Sequence, residues 1–386
     1  MRILLIDPGL VPATGHNQAM LQELDAAIRE GDGTATLVCA CARQVDTRHF
    51  AHLACEVRPV FRFHGYARWR ASDAAQFASP TFFEDVCIED LSSLPLQDFD
   101  IVLMPTAYPF HLAALATCGE RFPQLRIACG LLMPPRFWAA DEASVAMLEA
   151  AMHRAVLLLG KRENTLLYSE SGQCRIGSAL VSTPCLLPPA SRATLRQMQQ
   201  LCRDVPSTFG GALRLGFLGQ PEVRKGFAHV EALVQAGLPA GVSLTVRLPP
   251  GWEALCAKWT ADAPAVDATS APMDNRAFLD AMASVDVVLA FYSPGHHREQ
   301  MSGIVAEAIC LGKPLLIAIG CDALIDFLAR QAPGSYLCQP YGLEGLVAAL
   351  TASPGSWRSR ALAARASAAA MQELKSADRY LAIVSG

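Results

Sequence analysis

The sequence contains no apolar run that approaches the ~18–20 residues of a membrane-spanning helix. The longest candidate, AVLLLG at 155–160, is broken at once by Lys161 and Arg162. The opening MRILLIDPGL is a short strand entering a turn, too brief for the apolar region of a signal peptide. Cys-x-x-Cys pairs and His/Cys ligand clusters are lacking, and the only close cysteines among the thirteen are Cys39 and Cys41. An odd number at irregular spacing excludes a disulfide framework and fits buried thiols in a reducing cytoplasm. No G-x-G-x-x-G occurs, which argues against a dinucleotide-dependent oxidoreductase. Charge is scarce at 18% of residues and the net value is −4, so the bulk balance gives no case for nucleic acid.

What the chain has is apolar mass, 52% of its residues, over a length that exceeds one ordinary core and predicts two domains. Short apolar runs alternate with longer helical patterns. RILLI (2–6) precedes NQAMLQELDAAIRE, whose Met20, Leu21, Leu24 and Ile28 share a helical face. TATLVCA (34–40), DIVLMPT (100–106), LRIACGLL (125–132) and TLLYSES (165–171) continue the rhythm, with a helix over 141–161. That alternation predicts a parallel α/β sheet. Prolines cluster at 184–189, and the junction is expected near 185–211. A second set follows: LRLGFLG (213–219), SLTVRL (243–248), DVVLAFY (286–292), KPLLIAI (313–319) and SYLCQ (335–339). The expected organisation is a Rossmann-like domain over 1–190, a second over 191–365, and a C-terminal helix over 366–386 that could pack back on the first.

One stretch raises a chemical question. In REQMSGIVAEAICLGKP (298–314), Glu307 is the only charged residue between Gln300 and Gly312. A helix apolar on every side belongs in a core, where an unpaired carboxylate costs several kcal/mol. Ser302 suits the N-cap, and Gly312 with Pro314 gives the stop. Such a helix starts at the carboxyl end of its strand, where α/β sheets bind ligands, and its free N–H groups suit a phosphate. Glu307, about one turn inside, could then accept hydrogen bonds from a ribose. Pairing with an arginine of a neighbouring helix is the structural alternative.

The spacing of Glu299 and Glu307 resembles the E-x7-E motif of retaining GT-B glycosyltransferases, in particular glycosyltransferase family 4 in a variant subgroup. The chain keeps both glutamates and the EAICLGKP ending, but has Met301-Ser302-Gly303 with the glycine one position late. The resemblance implies Glu307 as the ribose ligand, Glu299 as the contact to the donor sugar, and Ser302, Gly303 and Ile304 beside the donor. A second stretch, RLGFLGQPEVRKGF, resembles G-R-x-x-x-x-K-G, whose arginine and lysine hold the donor diphosphate. Gly219, Lys225 and Gly226 match by spacing, Gln220 stands at the arginine position, and Arg224 could supply the missing charge. Cations there would stabilise a leaving diphosphate.

In the first domain, IDPGLVPATGHNQAM carries a loop ending Gly15-His16-Asn17. The resemblance places such a loop at the interdomain cleft on the acceptor side. Asn17 or Thr14 could cap the helix, and His16 could bind or deprotonate an acceptor hydroxyl. The histidine that many relatives carry after a central strand is missing from RIACGLLMPPRFW; His111 follows the previous strand. VFRFHGYARWR (60–70) interleaves arginines with aromatics. It reads either as a strand with a packed and a wet face or as a contact to anionic lipid or a lipid-linked acceptor at the inner face of a membrane.

The fold class expected is thus α/β of the GT-B type, two doubly wound domains facing a central cleft. The resemblance implies transfer of a sugar from a nucleoside-diphosphate sugar to a hydroxyl acceptor with retention, Glu299, Lys225, Arg224 and His16 carrying the chemistry. Neither a resident cofactor nor a metal is expected. The rivals are a non-catalytic GT-B-like protein that binds nucleotide or glycan and, with less support, a sugar-nucleotide epimerase.

Overall fold

The computed structural model describes residues 1–10, 16–31, 34–70, 72, 81–176, 179–204, 213–352 and 354–386. Thr14 and Gly15, singled out above, lie outside the described residues. The chain divides into two compact units, Met1–Arg192 with Lys375–Gly386, and Ala193–Leu374.

In the first unit six strands are parallel: β1 (Arg2–Asp7), β2 (Thr36–Ala42), β3 (Glu56–Phe61), β4 (Ile101–Met104), β5 (Arg126–Gly130) and β6 (Thr165–Tyr168), in the order β3-β2-β1-β4-β5-β6. A two-stranded antiparallel ribbon, β7 (Gln173–Ile176) and β8 (Ala179–Ser182), follows. The second unit repeats the order with β9 (Leu213–Leu218), β10 (Val242–Leu248), β11 (Val266–Ser270), β12 (Val287–Ala290), β13 (Leu315–Ala318) and β14 (Tyr336–Gln339), arranged β11-β10-β9-β12-β13-β14. All residues of IVLM, VVLA and LLIA in β4, β12 and β13 are buried. Helices cover both faces of such strands, so they read as continuous apolar runs rather than alternating ones. Burying each Leu or Ile stabilises by roughly 1.5–3 kcal/mol.

In both sheets the chain order reverses between the first and fourth strands, β1/β4 and β9/β12. The connections run to opposite faces there and leave a crevice at the strands' carboxyl ends, the usual ligand position of this topology. At the opposite, amino end of the strands, Asp98 and Asp100, a D-x-D triplet with Phe99, stand before β4 and are tied to Arg2 by an ion pair at 3.9 Å and a 2.7 Å backbone hydrogen bond.

The alanine-rich tail forms two helices, Pro354–Leu374 and Ala377–Ser385. The long one lies on the helix Gly303–Cys310, where Gln372 Nε2 donates to the Cys310 carbonyl at 2.7 Å. The last one belongs to the first unit. Its Tyr380 and Val384 join Leu5, Leu21 and Leu24 in the core, and Tyr380 Oη meets Tyr168 Oη at 2.5 Å.

The 60–70 stretch is engaged within its unit. Phe61 and Trp69 are buried, and Trp69 packs edge-on against Phe83 and Phe110 at 4.6 and 4.8 Å. Arg62 donates to buried Asp90 at 2.9 Å and to Glu89 at 2.7 Å, while Arg68 lies 5.0 Å over the Phe137 ring. Arginines held this way offer little to a lipid surface, so the geometry favours the packed-strand reading. All thirteen cysteines are free thiols.

Candidate functional site

In the second unit the candidate residues gather at the carboxyl ends of β9 and β12. The chain leaves β9 through Gly219, passes exposed Gln220, and makes one short turn over Val223–Lys225 before the helix Phe227–Ala236. Gly226 closes the turn at φ +74°, and a Cβ there would stand 2.1 Å from the Phe291 carbonyl oxygen. Only glycine allows this backbone to cross so closely behind β12. The crossing is pinned by Ser293 N–H donating to the Arg224 carbonyl at 2.9 Å.

Lys225 is thereby delivered next to the β12 loop, with Nζ 5.0 Å from the Tyr292 ring centroid. Among the described residues no carboxylate pairs with this ammonium. Arg224 differs: its Nε is engaged by the Glu222 carboxylate. Tyr292 Oη lies 3.3 Å from Ser302 Oγ, and the Tyr292 ring packs 4.5 Å from the His297 ring. Lys225, Tyr292, His297 and Ser302 therefore form one contact chain. Glu299 lies half-buried in the connection between His297 and Ser302.

His297 was not singled out by sequence, since the His296-His297 pair matches no ligand or catalytic spacing. It is 1% exposed, and burial, followed by the nearby Lys225 charge, pushes its pKa down to about 3. The ring is therefore neutral at pH 7. Its Nδ1 is 3.3 Å from the Gln300 carbonyl, which only accepts, so the proton is assigned to Nδ1. Nε2 then carries a lone pair, and it has no hydrogen-bond partner among the described residues.

The helix Gly303–Cys310 corrects one premise. Glu307 is half-buried rather than enclosed: Ile304, Val305, Ala306, Ala308, Ile309 and Cys310 are buried, whereas Gly303 and Glu307 are not. These two stand four residues apart and so share one face. A Cβ on Gly303 would meet nothing within 4 Å. The apolar helix thus opens along a single narrow strip, which holds its N-terminal glycine and its only carboxylate. Ser302 occupies the N-cap but makes no side-chain capping bond. Lys313, just beyond the helix, is buried with Nζ donating to the Ala283 carbonyl at 2.6 Å.

The first unit carries a partly open pocket at its own switch point. Asp7 ends β1, Pro105 and Thr106 follow β4, Leu132 follows β5, and Tyr168 and Glu170 come from the end of β6 and beyond. His16 and Asn17, the expected acceptor-side residues, line it from the first helix, His16–Glu30. Asn17 does not cap that helix. It is the second helical residue and is buried, with Nδ2 donating to Asp7 Oδ1 at 2.6 Å and lying 2.9 Å from Tyr108 Oη. Tyr66 Oη donates to Asn17 Oδ1 at 2.9 Å and stands 3.1 Å from His16 Nε2. A polar chain runs from rim to floor: His16, Tyr66, Asn17, Asp7.

Asp7 is the floor, 3% exposed. Burial pushes its pKa up to about 6, against the lowering effect of bonds from Asn17, the Gly9 N–H and Tyr108. All three fall on Oδ1, at 2.6, 3.1 and 3.4 Å. Sequence reasoning passed over Asp7 because Asp-Pro-Gly reads as a turn, and the Gly9 bond is indeed a turn bond.

No family model matches the chain, and no curated protein matches it. Solved structures do. The Candida albicans trehalose-6-phosphate phosphatase N-terminal domain superposes with a TM-score of 0.60 at 11% identity, covering 99% of this chain and 96% of that one. Anabaena HepE in complex with UDP-glucose gives 0.57 at 14%, covering 100% and 98%. The glycosyltransferase SnogD from Streptomyces nogalater gives 0.54 at 17%, covering 99% of each. At such identities the likeness concerns the fold, which is GT-B, two Rossmann-like domains.

Proposed function

We propose that this protein is a nucleotide-sugar-dependent glycosyltransferase, with the donor in the second unit and a hydroxyl-bearing acceptor in the first. The observation that carries the reading is that Lys225, which pairs with no carboxylate among the described residues, is linked through Tyr292 to Ser302 at the start of the helix whose half-buried positions are Gly303 and Glu307. A diphosphate needs cations and free helix N–H groups, and a ribose attached to it needs an acceptor about one turn deeper. HepE was solved with UDP-glucose and the rhamnosyltransferase SpnG with thymidine diphosphate, on the same fold.

In the transfer, the acceptor oxygen bonds to the anomeric carbon on the face from which the diphosphate departs, and the hydroxyl proton passes to the departing diphosphate oxygen. The leaving group takes the electron pair, and Lys225, Arg224 and the helix N-terminus are assigned to its charge. Glu299 is assigned to the donor sugar and Glu307 to the ribose. Retention at the anomeric carbon follows from the E-x7-E resemblance, and no metal is invoked.

Thermal unfolding with UDP, GDP, ADP, CMP and dTDP tests the donor site. At about 100 times its Kd, one nucleoside diphosphate should add roughly 2.7 kcal/mol of apparent stability. Glu307→Ala should abolish that gain. An absent shift with all five nucleotides would sink the reading.

A further inference from the structure

The first unit's pocket has a one-sided chemistry. Its polar lining consists of the carboxylates of Asp7 and Glu170, the His16 ring, the Asn17 amide, the Thr106 hydroxyl and the Tyr168 and Tyr380 phenols. Among the described residues no lysine or arginine lines it. The two phenols are directed at each other, and the Asn17 amide is directed at Asp7 and Tyr108. The remaining walls are apolar: Met20, Pro105, Leu132, Leu186 and Pro188.

Within this lining Asp7 is unevenly used. Oδ1 receives every bond found, and Oδ2 receives none among the described residues. A carboxylate oxygen held this deep, on a rigid strand end and beside a cavity, calls for a donor from a ligand. A phosphate would meet the buried Asp7 carboxylate with no lysine or arginine among the described lining residues, a like-charge arrangement in a poorly solvated space. A cation would meet complementary charge.

We propose that this pocket binds a phosphate-free ligand with an apolar body and a protonated amine, the ammonium donating to Asp7 Oδ2. Identifying that ligand with the acceptor rests on the glycosyl-transfer reading, and an amino alcohol would supply both the anchor and the reacting hydroxyl. The binding itself does not need that reading. Asp7 is then the residue that decides acceptor class, excluding sugar phosphates and lipid-linked diphosphates from this pocket.

Titration calorimetry on the full chain at pH 7.5 tests this with trans-2-aminocyclohexanol, cyclohexanol and cyclohexyl phosphate as probes. The amino alcohol should bind, with cyclohexanol and cyclohexyl phosphate at least tenfold weaker. Asp7→Asn, which keeps the shape, should weaken the amino alcohol at least tenfold, and Glu307→Ala should leave it unchanged. No binding of the amine, equal binding by Asp7→Asn, or preference for the phosphate overturns the proposal. Nucleoside diphosphate binding, measured separately on the same proteins, reports on the donor site, so either reading can fail while the other stands.

Discussion

Asp7→Asn should make the protein more stable at pH 7 than the natural sequence, by about 2–3 kcal/mol. The reason lies in the difference between the folded and unfolded carboxyl. Burial raises the folded pKa from the ordinary 3.8 to about 6, so folding disfavours the ionised form. A shift of about two pH units corresponds to roughly 3 kcal/mol. The sign follows from which state binds the proton more tightly. Below about pH 4 both states are protonated and nothing is lost. As pH rises toward 6 the unfolded chain ionises first, and stability falls until the folded carboxyl has ionised too. The asparagine variant has no such loss, and its amide oxygen can still accept from Asn17, Gly9 N–H and Tyr108. Chemical denaturation of both proteins between pH 4 and 8 should give curves that coincide at the acid end and separate up to about pH 6–7. A constant difference across that range would show that Asp7 ionises normally in the fold. A natural sequence that keeps a destabilising carboxylate at the floor of a pocket is consistent with selection for binding at the expense of stability.

The same residue shows what could and could not be read from sequence. The fold was legible because a parallel sheet covered on both faces forces continuous apolar runs; RILLI, IVLM and LLIA carry that signature without needing their neighbours. The strand-to-helix turn that carries Gly226 and Lys225 was legible because it lies within one short, ordered stretch, whereas the roles given to Glu299 and Glu307 belong to the proposed function. Glu307 was found by a sound argument with one false premise. Its helix is apolar around nearly the whole circumference, and the narrow strip left open depends on what the other faces pack against. Tertiary chemistry was hidden. Asp7 meets Tyr108 across 101 residues, Tyr168 meets Tyr380 across 212, and Arg62 finds Asp90 28 residues away. His297 acquires its unusual state through burial and through the charge of Lys225, 72 residues earlier in the chain, which no local pattern encodes.

Lys225→Ala should lower donor turnover by about 10²–10³, the typical effect of removing one preorganised group that meets charge developing in the transition state. On the proposed function, the larger part falls to Lys225 rather than Arg224 on grounds of prior commitment. Arg224 is already neutralised by Glu222, so its charge is partly spent before a diphosphate arrives. Lys225 rests on the Tyr292 ring, and a cation–π contact at a half-exposed site is worth only about 0.5–1 kcal/mol. An incoming phosphate can take the ammonium from the ring at little cost. Arg224→Ala should therefore cost turnover clearly less than Lys225→Ala, while neither change should lower fold stability by more than about 1 kcal/mol. A structural role for Lys225 would give the opposite pattern, a loss of stability with turnover preserved. His297 supplies an internal check, because Lys225 is the second cause of its lowered pKa after burial. Removing the lysine should raise the His297 pKa, observable in the ring proton resonances, yet leave it below the ordinary histidine value because burial remains. If that resonance does not move, the two side chains do not share the site described here, and the turnover loss would need another explanation.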